Sequence, residues 1–126
     1  MTGKKCLCEP TEILIFPCSG GSNVGQIANE AAINLTTNGH GKMYCLAGIG
    51  SHVSGIIEST KTAKRIVAID DCPVHCAKNA LEYAGFKPDV HVVVTDLGIK
   101  KESGFDIEDN EIEKVIQKIR GFINEN

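Results

Sequence analysis

The stretch Arg65–Gly85, RIVAIDDCPVHCAKNALEYAG, changes its pattern halfway along. It opens on a β-branched aliphatic run that ends in Asp70 and Asp71, and it closes on apolar residues at helical spacing ahead of a glycine. A buried strand handing over directly to a helix is the building unit of a parallel sheet. Pro73, a residue tolerated at the first helical position, marks where the helix is expected to start. Cys72 then falls at or beside the N-cap, and Cys76, four residues on, shares a helical face with it.

The same unit recurs on either side. EILIFPC (12–18), KMYCLAG (42–48), KRIVAID (64–70) and DVHVVVTD (89–96) read as four short strands, each bounded by Gly, Pro or Asp and each expected to be buried on both faces. Val24, Ile27, Ala28, Ala31 and Leu35 fall at spacings of three and four, which makes one helical face, and Asn38-Gly39 supplies a stop. Ile112, Val115, Ile116, Ile119 and Phe122 repeat that face near the C-terminus, with Asn110 and Glu113 spaced as a capping box. The segment SHVSGIIESTKTA (51–63) offers only Val53, Ile56 and Ile57 as a stripe.

Alternating strands and helices predict a single three-layer α/β domain over residues 12–126, with a four-stranded parallel sheet and helices on both faces. Right-handed crossovers suggest the strand order 2-1-3-4. Residues 1–11 read as a loose leader carrying Cys6 and Cys8.

Composition narrows the setting. The chain has 126 residues, 42% apolar and 23% charged, with a net charge of −3. That balance is globular, and the runs ILIF and VVV are far too short to cross a bilayer. Glu9, Pro10 and Glu12 interrupt any signal-peptide core, so a cytoplasmic location is expected. No basic face interleaved with aromatics points to nucleic acid, and the acids between Glu102 and Glu113 read as a solvated surface. Cytosolic thiols are kept reduced, so six cysteines point to metal binding or thiol chemistry before disulfides.

Ligands of open parallel sheets bind beyond the carboxyl ends of the strands, where the strand order reverses. Cys18 ends the first strand and Cys72 the third, so both flank that crevice, and helix geometry adds Cys76. Cys45 lies slightly inside the second strand and reads equally as a small buried hydrophobe; it reaches the site only if that strand turns early. The small-residue turn in PCSGGSNVGQ (17–26) leads into a helix N-terminus, which favours an anion or a thiolate at Cys18. A phosphatase loop needs an arginine six residues after its cysteine, and Val24 stands there; a triphosphate loop needs a lysine where Gln26 stands. Asp70 and Asp71 read as caps for the next helix, His75 as solvent-facing, His52 as a weak partner near the site, and His40 and His91 as lying at the opposite sheet edge.

The segments CSGGSNVGQIANEAA, CLAGIG, IDDCPVHCAKNALEYAG and VVVTDLGI together resemble the DGC-domain family across Ile13 to about Lys100. Members are regarded as zinc-binding because of four cysteines able to chelate, and the resemblance implies no particular reaction. By motif match those cysteines are Cys18, Cys45, Cys72 and Cys76. The Asp-Gly-Cys that names the family stands here as Asp70, Asp71, Cys72. The missing glycine implies either a changed backbone angle or an extra carboxylate beside the site.

The expected function is therefore binding of Zn²⁺ by four thiolates at the carboxyl edge of the sheet, with an iron–sulfur cluster as the alternative cofactor. The rival function is a thiol-dependent redox or sulfur-transfer enzyme with Cys18 as nucleophile.

Overall fold

A computed structural model describes residues 13–124; the leader with Cys6 and Cys8 lies outside the described residues. Four strands, β1 (Ile13–Pro17), β2 (Lys42–Met43), β3 (Arg65–Asp70) and β4 (Val90–Val93), form one parallel sheet in the order β2-β1-β3-β4. The helices are α1 (Asn23–Thr37), α2 (Leu46–Gly50), α3 (Ser54–Thr60), α4 (Cys76–Tyr83) and α5 (Asp109–Asn124). A short 3-10 turn over Val94–Leu97 follows β4.

The period-two alternation of strand side chains divides the core into two layers. Ile15, Val67, Ile69 and Val92 face α1 and α5, where they meet Val24, Ile27, Ala28, Ala31, Leu35, Val115, Ile116 and Ile119. Leu14, Phe16, Ile66 and Ala68 face the other way, onto Ile49, Ala77 and Leu81 of α2 and α4, with Ile56 and Ile57 of α3 at the margin. Full burial of each such Leu, Ile, Val or Phe contributes about 1.5–3 kcal/mol. Every α1 residue assigned to the apolar face is fully buried. That helix stops where expected, with Asn38 as C-cap and Gly39 at φ +82, a conformation glycine adopts without strain.

Three local expectations are corrected. β2 has two residues, both half-buried, because it is an edge strand whose Met43 N–H donates to the Thr36 hydroxyl of α1 (2.8 Å) before the chain turns away. Residues 51–63 hold the whole of α3 after a break from α2, with Val53 exposed ahead of the helix. At α5 the reach-back bond joins Glu108 N–H to Glu111 Oε1 (3.0 Å), whereas Glu113 accepts from Gln117. Phe122 at the end of its face is partly exposed and lies under the Lys118 ammonium.

Candidate functional site

The turn after β1 is built by close backbone approach. Cys18 N–H donates to Ile69 O (2.8 Å), extending the β1–β3 ladder by one residue and burying the thiol. Ser22 then caps α1 by accepting from Gly25 N–H (3.2 Å). A Cβ on Gly25 would run into the Gly20 backbone, 2.6 Å from its nitrogen, so only glycine lets the helix sit on this turn. A Cβ on Gly20 would lie 3.0 Å from Asp71 Oδ2 and 3.6 Å from Cys18 Sγ, which puts the thiol and the carboxylate under one glycine.

Cys18 does not become the low-pKa thiol that the helix N-terminus suggested. Burial, followed by the Asp71 carboxylate, pushes it up to about 12, and the Gly20 N–H only partly opposes them. A neutral thiol is a poor nucleophile, so the geometry disfavours Cys18 as the attacking group of a redox or transfer enzyme.

The turn after β3 differs from expectation. Helix α4 begins at Cys76, not at Pro73, because the fully buried Asp70 on β3 captures its first amides: Oδ1 accepts from Ala77 N–H (2.6 Å) and Oδ2 from Lys78 N–H (3.1 Å). Asp70 thus caps the helix, as its position at the strand end suggested. Cys72 lies in the turn before the helix, where its carbonyl accepts from His75 N–H (3.1 Å), so the shared-face argument for Cys72 and Cys76 does not apply. Cys72 is buried and Cys76 is exposed. Asp71 has no positive φ, since His52 and His75 are the non-glycine residues with that conformation among those described. Its substitution for the family glycine therefore adds a buried carboxylate and leaves the backbone ordinary.

Cys45 sits at the N-cap of α2 and accepts from Gly48 N–H through its sulfur (3.3 Å). The early end of β2 is what frees it from the strand. Exposed Cys45 and Cys76 line one groove of about 550 Å³ with Pro17, Tyr44, Leu46 and Ala80. Cys76 also lies close enough to Cys18 to raise its pKa.

Lys101 completes the cluster. Its ammonium donates to Cys72 Sγ (3.5 Å), and that bond, with the charges of Cys72 and Asp71 behind it, holds Lys101 above the usual lysine value. Asn23 straps the lysine's loop to the start of α1: its side chain donates to Lys100 O (2.8 Å) and accepts from Glu102 N–H (2.6 Å). Lys101 is 29 residues from Cys72 and carries no local sequence signal. His91 does not lie at the opposite sheet edge. Its partner in the β3–β4 register is Ala68, well along β3, and its Nε2 meets Asp70 Oδ2 at 2.8 Å.

Among the described residues Cys18, Cys45, Cys72 and Cys76 are free cysteines. Their sulfurs suit a soft or borderline ion, but as the side chains stand no three His, Cys, Asp or Glu among the described residues are grouped closely enough to hold a metal. Cys18 and Cys72 are buried, whereas Cys45 and Cys76 are exposed on the groove.

The family model for the DGC domain matches residues 14–119. The anaerobic and virulence modulator AnvM of Pseudomonas aeruginosa is 34% identical over 106 residues, covering 84% of this chain and 81% of AnvM. No solved structure matches. With the family model matched over residues 14–119 and a relative 34% identical across most of both chains, this chain belongs to the DGC-domain family.

Proposed function

We propose that this protein is a cytoplasmic metal-binding module that holds Zn²⁺ through Cys18, Cys45, Cys72 and Cys76 and acts as a modulator of other cellular components. One observation carries the reading: four thiols lie in the three segments that follow the carboxyl ends of β1, β2 and β3, with a cationic ammonium already bonded to one of them. Cys18 and Cys72 form the fixed half of the site. Cys45 and Cys76, on the wall of the groove, close over the ion by side-chain rotation. Four thiolates would give a closed tetrahedral site, which suits a structural or sensing role and leaves no position for substrate. The modulatory role is taken from the name of the relative AnvM. No helix among the described residues is long and apolar enough to cross a membrane, in keeping with action away from the bilayer.

The test is elemental analysis of protein purified without oxygen or chelators, with thiols titrated before and after denaturation. About one zinc per chain and four protected thiols is the expected result. Iron with acid-labile sulfide would replace zinc with a cluster. Metal-free protein whose exposed thiols all react, and which gains no protection on adding Zn²⁺, would overturn the proposal.

A further inference from the structure

Asp70, His91 and His75 form a second constellation that the thiol site does not use. Asp70 is fully buried, and besides capping α4 it meets His91 Nε2 at 2.8 Å. A histidine that gives one ring nitrogen to a carboxylate keeps the other free as a lone-pair donor, the arrangement found behind metal-bound imidazoles. The His75 ring stands against the His91 ring, with centroids 4.9 Å apart and planes at 89°. His75 is held there by a left-handed backbone, φ 60 and ψ 46, an uncommon conformation outside glycine. Both rings are part-exposed.

The separation is informative. Two imidazoles sharing one ion at a metal–nitrogen distance of about 2.0–2.1 Å place their centroids roughly 4.5–5.2 Å apart for ligand angles between about 90° and 110°. The observed 4.9 Å falls inside that range. Seating both nitrogens on one ion takes a turn of one ring, and among the described residues no hydrogen bond restrains the His75 side chain.

We propose that His75 and His91 form a second, solvent-open metal site for an imidazole-preferring divalent transition metal such as Ni²⁺, Cu²⁺ or Zn²⁺. Asp70 orients His91 and offsets the charge, and water fills the remaining positions. Imidazole suits this group of ions, whereas Mg²⁺ and Ca²⁺ prefer oxygen ligands. His75 shares the β3–α4 turn with Cys72 and Cys76, so the test carries a cysteine variant, which makes failure of this site and failure of the zinc-thiolate reading separately visible.

The test titrates the full chain with Ni²⁺ by calorimetry, in wild type and in a Cys45→Ser/Cys76→Ser double variant, while the histidine ring signals are followed by NMR. His75→Asn keeps a residue that tolerates the left-handed backbone, and His91→Gln keeps a donor for Asp70, so both remove a ligand while preserving the fold. The expected result is binding that persists in the cysteine double variant, perturbs both ring signals, and weakens by at least about tenfold in each histidine variant, the low end of what even an outer-shell loss costs. No binding by wild type, binding indifferent to either histidine, or binding lost with the two cysteines would each overturn the proposal.

Discussion

The turns after β1 and β3 are equally long, residues 18–22 and 71–75, yet they start their helices in different ways. In the first, the loop's own Ser22 caps α1 with a neutral hydroxyl, and close packing of Gly25 on Gly20 fixes the path. In the second, the cap is supplied by a charged strand residue. Asp70 reaches past five loop residues to the amides of Ala77 and Lys78, and the chain accommodates this by placing His75 in the left-handed region. The contrast teaches that the anion position at the α4 N-terminus is already filled by the protein's own Asp70 carboxylate. An anion-binding reading therefore has less room there than at α1, and the thiol of Cys72 turns toward Lys101 instead.

Breaking the second cap should have the largest effect. Asp70→Ala leaves two helix amides and His91 without their partner, and each unsatisfied buried donor costs about 1–3 kcal/mol. A total near 3 kcal/mol or more is expected from urea unfolding. Equal losses for Asp70→Ala and Ser22→Ala would erase the distinction between the two turns.

Gly25→Ala comes next. Its new methyl meets backbone, so the first turn must shift at a cost of about 1–3 kcal/mol, whereas Gly48→Ala meets the movable end of the Ile56 side chain and should cost less. The same unfolding series measures both. Ser22→Ala follows at about 1 kcal/mol, the usual loss of a hydroxyl cap.

The two turns also differ in charge, and pH sharpens this. Cys18 ionises near 12 when folded, against a reference of 9.0, so its neutral form in metal-free protein favours folding. That contribution is complete below pH 9.0 and is lost as the pH rises toward 12, because the unfolded thiol ionises first. Cys18→Ala should flatten the alkaline limb of a stability–pH curve; an unchanged limb would contradict the burial argument. The smallest effect is expected from Asp71→Gly, which restores the family residue. Removing the carboxylate lowers the Cys18 pKa, while burial, the larger cause, still holds it up, so alkylation of Cys18 at pH 8 should quicken modestly.

The sequence by itself determined the architecture. Alternation in Ile13–Pro17 and Arg65–Asp70, and the three-and-four spacing of Val24, Ile27, Ala31 and Leu35, are local patterns that burial on a sheet or helix face requires, and both core layers follow from them. The four cysteines were legible as a group because strand ends of a parallel sheet meet at one edge. Only the tertiary structure decided what surrounds them. The α4 start depends on a carboxylate from β3, the Lys101–Cys72 contact spans 29 residues, and the place of His91 depends on a strand register; none leaves a periodic trace in the chain. The ionisation of Cys18 likewise departs from what its loop implies. A helix N-terminus is a local feature, whereas the burial and the Asp71 charge that outweigh it arise when distant segments pack together.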